Sequence, residues 1–301
     1  MSAITAESVK VLREKTGAGM MDCKKALTES QGDMDKAVEF LRKQGIASAA
    51  KKSGRLASEG LVDIARDGQR AAIVEVNCET DFVGKTEEFQ KFIQTLAQEI
   101  LKSKPADLEG LLKLNFASSG KPLELVVQEM VAKIGENISI RRFSLLESGS
   151  GEMVGTYIHM GNKIGSVVRI KGDASKLKED VLKDVAMHIA AAIPRFVHKN
   201  EISSEERAKE KEIYLAQLKD SGKPAEILEK IVEGKLSKFA SEVCLEDQIF
   251  VKDPTGKKSV LKHLQEIDPS AKILQFVRYQ VGEGMAKKEE DFAAEVAKQL
   301  K

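Results

Sequence analysis

Several short segments of this 301-residue chain hold residue types that could do chemistry. Gly161-Asn162-Lys163-Ile164-Gly165-Ser166 sets a lysine among glycines, as a phosphate-cradling loop does. Its spacing is wrong, because GxxxxGK(S/T) puts the lysine directly after the second glycine. Thr16-Gly17-Ala18-Gly19 has the glycines of a dinucleotide fingerprint but lies between two helical stretches, with no strand before it. Cys23, Cys78 and Cys244 are far apart and form no Cys-x-x-Cys pair, so they read as buried thiols in a reducing compartment. His159, His188, His198 and His263 show no helical His-x-x-x-His spacing for a metal. A Gly-x-Ser-x-Gly nucleophile elbow is also missing. The expectation is a protein with no catalytic residues, no metal ligands and no cofactor.

Two other segments suit binding better than chemistry. Met20-Met21 places two large, pliable side chains at a helix start directly after Gly17-Ala18-Gly19. They could fill a small helical core or offer an adaptable apolar contact to a partner. In Asn77-Cys78-Glu79-Thr80-Asp81-Phe82-Val83-Gly84 a strand runs out into a polar turn carrying a phenylalanine. One reading is an N-cap at Thr80 or Asp81 with Phe82 tucked inward as a hydrophobic staple. The other presents Phe82 outward. Local pattern leaves both open.

The elements that would position these segments follow from periodicity. Thr5 caps a first helix that offers Ile4, Val9 and Leu12 to a core and ends at Gly17. A second runs from near Gly19 to Ser30, and a third from Asp33 to Gly45 presents Ala37, Phe40 and Leu41. The small and basic stretch 49–55 reads as a hinge. Residues 61–65 then alternate, Arg66-Asp67-Gly68-Gln69 turns, and 72–76 runs on as a second strand, a hairpin with Asp-Gly turn chemistry. Phe89, Phe92, Ile93, Leu96 and Ile100 form one apolar stripe of a helix, and 138–143 is a later strand. The plan recurs: a hairpin over 154–159 and 165–170, a helix with Val181, Val185, Ile189 and Ile193, and a strand over 273–281. Between that helix and that strand, 204–220 and 225–239 predict two antiparallel helices joined at Ser221-Gly222-Lys223-Pro224, with Ile227, Leu228, Ile231 and Phe239 apolar. Phe292, Val296 and Leu300 mark a last apolar edge.

These patterns predict an α+β chain with two repeated core subdomains built on antiparallel sheets. The expected boundaries are 1–54 for the three-helix unit, 55–147 for the first core subdomain, and 148–198 with 241–281 for the second. The helical hairpin is the insertion 199–240, and 282–301 is a C-terminal helical module. With 42% hydrophobic residues the chain can bury cores of that number. Lysine plus arginine (48) nearly cancels aspartate plus glutamate (47), so no net field draws the protein onto nucleic acid or a membrane. Tryptophan is missing and basic residues interleave with acidic ones, which argues against stacking on bases. No apolar run reaches the roughly 20 residues of a membrane span, and the first residues show no secretory pattern; cytoplasm is the expectation. A charged surface of mixed sign suits a protein that meets another protein.

Four stretches carry a resemblance. Residues 9–27, VKVLREKTGAGMMDCKKAL, look like the N-terminal signature of the elongation factor Ts family. Residues 74–83, VEVNCETDFV, resemble its second signature; 133–142, KIGENISIRR, and 185–194, VAMHIAAAIP, are similar to further blocks. The resemblance runs over essentially the whole chain. It implies a nucleotide exchange factor that binds elongation factor Tu in its GDP-bound and nucleotide-free forms, with no direct contact to nucleic acid. It implies that Thr80, Asp81, Phe82 and Val83 disrupt the partner's magnesium site, and that Arg13, Met20 and Met21 grip its nucleotide domain. His159 matches a further family contact, although the turn Met160-Gly161-Asn162 departs from the glycine- and alanine-rich form of the family. The three-helix unit would be ubiquitin-associated-like. A homodimer or a two-to-two complex is left open. Apart from the resemblance, a chaperone-like scaffold would use Met20-Met21 but give the TDFV turn no task, and an unrecognised enzyme site between the subdomains is the other rival.

Overall fold

Helix signals near the N-terminus become three helices. In the computed structural model, which describes residues 4–218 and 224–286, α1 spans Ala6–Thr16, α2 Met20–Glu29 and α3 Met34–Lys52. The Thr5 hydroxyl accepts from the Ser8 amide at 3.1 Å, and Ser8 returns the bond in a reciprocal cap. Gly17, at φ 68°, closes α1 by donating its amide to the Arg13 carbonyl at 2.7 Å. Leu12, Cys23, Ala26, Leu27 and Ala37 are fully buried between the helices, with Ile4, Phe40 and Leu41 packed around them.

The third helix does not stop at Gly45, and residues 49–52 are helix rather than hinge. Glycine there serves a close approach. A Cβ on Gly45 would lie 3.2 Å from the Cβ of Ala132 on a helix that packs across it, so the missing side chain lets the two helices meet. That contact offsets the ~1 kcal/mol that a mid-helix glycine costs relative to alanine.

The first sheet contains β1 (Glu59–Arg66), β2 (Arg70–Cys78) and a later strand. Asp67 and Gly68 (φ 90°) make the turn, and the Asp67 carboxylate accepts from the Arg70 amide at 3.0 Å. Next come α4 (Asp81–Gly84) and α5 (Glu87–Ser103), whose predicted stripe is wholly buried: Phe89, Phe92, Ile93, Leu96 and Ile100. At roughly 1.5–3 kcal/mol for each large side chain, that face holds the helix in place. The chain continues through α6 (Leu108–Lys113), the short strands β3 (Asn115–Phe116) and β4 (Lys121–Pro122), and α7 (Leu123–Ile134). It then returns as β5 (Ser139–Glu147), giving the order β1-β2-β5. The helix across from Gly45 is α7.

A second sheet has the order β6-β7-β8, from β6 (Glu152–Ile158), β7 (Ile164–Lys171) and β8 (Lys272–Gln280). β6 and β7 pair antiparallel with Tyr157 opposite Ser166. Over them lies α8 (Glu179–Ala192), brought close by Gly155, where a Cβ would fall 2.5 Å from the Leu182 carbonyl oxygen. The buried face of α8 is Leu182, Val185, Ala186 and Ile189; Ile193 is the exposed C-cap at φ 51°. Each four-residue step overshoots a turn by about 40°, so a 181-185-189-193 series drifts off the sheet at its ends.

Between α8 and β8 stand α9 (Ser204–Leu218), α10 (Ala225–Val243) and α11 (Val260–Ile267). α9 and α10 are in contact, as a helical hairpin requires. The buried positions of α10 are Val232, Leu236 and Ala240, spaced by four, while Ile227 is exposed. The break at 221–223, the end of the first hairpin helix at 219–220, and the C-terminal edge at Phe292, Val296 and Leu300 lie outside the described residues.

By contact the described residues divide into two compact units. One comprises 4–63, 74–143 and 280–286; the other comprises 64–73, 144–218 and 224–279. Among the described residues no helix is long and apolar enough to cross a membrane. The α+β class with antiparallel sheets is as the periodicity predicts.

The second unit holds a buried histidine, His188, whose spacing does not single it out. The Val251 amide donates to His188 Nδ1 at 3.1 Å, so the proton sits on Nε2, which donates to Gln248 Oε1 at 3.0 Å. Gln248 in turn donates to the carbonyls of Ala192 and Glu242. Burial pushes the His188 pKa below its ordinary value, outweighing the Gln248 bond. As pH falls below about 6.5 the unfolded chain takes this proton first, so stability declines with acid until the folded pKa is passed. His263, stacked on Phe250, is shifted the same way by burial and Lys258. His188→Gln is expected to flatten the stability profile between about pH 7 and 5, read as melting temperature against pH.

Candidate partner-binding site

The second signature segment begins in β2 and ends in the turn that forms α4. Glu75 is fully buried in that strand. Its carboxylate accepts from Arg141 at 2.9 Å, Arg142 at 2.6 Å and the Gly282 amide at 2.9 Å. Asn77, two residues on, donates to Glu75 Oε1 at 3.3 Å and to the Glu59 carbonyl at 3.1 Å. The strand is thus fixed by charge as well as by its ladder.

Beyond Cys78 the chain is held by the residues after α7. Glu136 Oε1 accepts from the Thr80 hydroxyl at 2.6 Å, and its Oε2 accepts from the amides of Glu79 (3.1 Å) and Thr80 (3.0 Å). Glu79 answers by accepting from the Asn137 amide at 2.6 Å. Asn137 ties the other way, donating to the carbonyls of Arg55 (2.8 Å) and Ser53 (3.3 Å). Two of the segments that resemble family blocks, 74–83 and 133–142, are therefore the two halves of one clamp.

The Thr80 hydroxyl donates to Glu136 and makes no cap bond to α4. Val83 is buried and anchors the single turn from inside. Phe82 is 75% exposed, so the inward staple is not the conformation adopted. Asp81 pairs with Lys85 at 2.5 Å, and the same ammonium sits 5.6 Å from the Phe82 ring centre. This turn offers an exposed aromatic ring beside a carboxylate, on a backbone held from both sides.

Met20 and Met21 are 59% and 74% exposed in the first turn of α2, so neither fills the helical core. Arg13 is exposed on α1. The loop before Met20 abuts α7: a Cβ on Gly17 would meet Lys133 Cε at 3.3 Å, and the Lys133 ammonium pairs with Glu88 at 2.7 Å. Glu88 lies in the first turn of α5, just after the Phe82 turn. Arg13, Met20, Met21 and residues 80–83 thus belong to one unit, linked through the end of α7.

His159 belongs to the other unit. It is exposed at the end of β6, with Nδ1 3.1 Å from the Tyr157 hydroxyl. The four-residue turn after it carries Met160, 87% exposed and followed by Gly161 (φ 81°) and Asn162 (φ 56°). Among the described residues no group of histidines, cysteines and carboxylates could hold a metal ion.

A family model described as Elongation factor TS matches residues 79–283, about two thirds of the chain. The chain belongs to the elongation factor TS family. Members of the family are nucleotide exchange factors for elongation factor Tu in translation elongation, and not catalytic enzymes in the usual sense. The elongation factor TS match begins at Glu79, so it takes in the clamp residues Glu79, Thr80, Glu136 and Asn137 together with Phe82. Arg13, Met20 and Met21 lie before it.

Sequence reading missed the residues that hold the turn: Glu75, Glu79, Lys133, Glu136 and Asn137. All five stand inside the segments that resemble family blocks, but nothing local says that a glutamate at 136 reaches a threonine at 80.

Proposed function

We propose that this chain releases GDP from elongation factor Tu by inserting Phe82 and Asp81 near the partner's magnesium site. What carries the reading is Phe82 itself, a mostly exposed aromatic ring on a backbone pinned by a distant carboxylate. Holding such a ring in water gains the fold nothing, whereas burying it on a partner gains ~1.5–3 kcal/mol. Met20 and Met21 supply a pliable apolar contact in the same unit. Thr80 and Val83 hold the turn, Arg13 adds a charged contact, and His159 touches a second surface of the partner.

Exchange requires differential affinity. A factor that bound every state of the GTPase equally would release nothing; it must favour the nucleotide-free form over the GDP form. In this mechanism the Phe82 wedge is fully seated only when the elements around the metal have moved apart. Asp81 then competes for the magnesium site. Its pair with Lys85 is an exposed i,i+4 bridge worth only about 0.3–0.5 kcal/mol, so giving it up costs little. Losing the metal ion removes the charge that holds the diphosphate. GTP refills the empty site by mass action and displaces the factor.

Linkage makes the scheme testable. Whatever factor weakens GDP binding in the complex is the factor by which GDP weakens this protein's binding. Calorimetric titration into GDP-loaded and nucleotide-free elongation factor Tu should give clearly tighter binding to the empty form. Equal affinity for the two forms would rule the mechanism out.

A further inference from the structure

We infer that Glu136 is a positioning residue for exchange: its carboxylate keeps Phe82 pointing outward. The inference rests on the wedge proposed above. Residues 80–83 are, locally, a capping sequence. A threonine before a short helix ordinarily turns its hydroxyl oxygen onto the helix amides. Here the hydroxyl instead donates to Glu136 Oε1 at 2.6 Å and makes no cap bond to the helix amides. The other carboxylate oxygen gathers two successive amides, those of Glu79 and Thr80, at 3.1 and 3.0 Å. Three bonds to one ionised group fix the backbone directly before Asp81 and Phe82, and charge-assisted bonds are about twice as strong as neutral ones.

The position of Glu136 extends its reach. It follows Gly135, the left-handed cap of α7 (φ 88°), and precedes Asn137, which binds the carbonyls of Ser53 and Arg55 just after α3. Ala132 and Lys133 meet Gly45 and Gly17 on the same stretch. The segment 132–137 therefore sets where Met20-Met21 and Phe82 stand relative to one another within their unit. Pre-setting two contacts removes the ordering cost that binding would otherwise carry.

The experiment compares Glu136→Ala and Glu136→Gln in the full chain, each with and without Phe82→Ala. Release of a fluorescent GDP analogue from elongation factor Tu is followed at saturating factor. Glu136→Ala is expected to slow maximal release about tenfold while the chain still unfolds cooperatively, with Glu136→Gln in between. In the Phe82→Ala background the same change should add almost nothing, since both act through one ring. A wild-type rate for Glu136→Ala, or a full tenfold loss persisting without Phe82, would overturn the inference. Should Glu136→Ala fail to fold, Glu136→Gln keeps one acceptor and gives the same comparison. Failure of the wedge itself reads differently, as unchanged release by Phe82→Ala alone. Because the chain has no tryptophan, Phe82→Trp adds a direct optical report. Its emission should shift to the blue on adding Glu136→Ala; an unmoved, water-exposed spectrum would contradict the positioning role.

Discussion

Phe82→Ala is expected to slow factor-stimulated GDP release from elongation factor Tu by about 30-fold, the size of a ~2 kcal/mol hot spot. The loss should appear in the rate at saturating factor more than in the concentration needed to reach it. An interaction made only when the metal-side elements have parted stabilises the open state and not the initial encounter. Stability should hardly change, because a ring that is 75% exposed supports no core. Stopped-flow release and a thermal melt on the same preparation separate the two effects. A large drop in melting temperature with normal exchange by the folded fraction would mean that Phe82 is a staple after all. Phe82→Leu, with less area to bury, should fall between the two.

The second large effect is on the fold. Glu75→Ala should destabilise the protein by about 3 kcal/mol, at the lower end of the 3–5 expected when one member of a buried ion pair is removed. The carboxylate has no exposed surface, and its loss takes an acceptor from two guanidiniums, the Gly282 amide and the Asn77 side chain, although Arg141 and Arg142 keep bonds to Glu283 and Asn77 keeps the Glu59 carbonyl. Arg141 and Arg142 are 24% and 31% exposed, so water recovers part of their solvation, which favours the smaller figure. Glu75→Gln keeps an acceptor and should cost less. Urea unfolding would read both. A change under about 0.5 kcal/mol for Glu75→Ala would mean that the bonds only repay the desolvation of the charge.

What could be read from the residues was what depends on short range. The Asp-Gly turn, the α5 stripe from Phe89 to Ile100, the Thr5 cap and the Gly17 stop are local signals, and each stands where it was expected. Gly45 misled because a glycine near a helix end looks like a cap. Its actual partner, Ala132, is far along the chain. Ile193 misled because a spacing of four drifts around a helix. Residues 104–137 gave no element beforehand: α6, β3 and β4 are very short, and α7 went unread although Leu123, Val126, Val127, Met130, Val131 and Ile134 fall at helical spacing.

The site divides along the same line. The types of Met20, Met21 and the TDFV residues left a core role and a partner contact both open. Whether Phe82 pointed in or out was equally unreadable, since Thr80 or Asp81 can cap a helix beside it. The decision lies with Glu136, 56 positions from Thr80, and with the buried Glu75 that holds the strand before it. Long-range polar contacts of this kind leave no period in a sequence.

The most direct test of the whole account is release of a fluorescent GDP analogue from elongation factor Tu at fixed magnesium, with and without the wild-type chain. Substoichiometric amounts should accelerate release strongly, because each molecule leaves when nucleotide rebinds. Binding without any acceleration, at every concentration tried, would contradict an exchange function and leave a scaffold that merely docks on the GTPase.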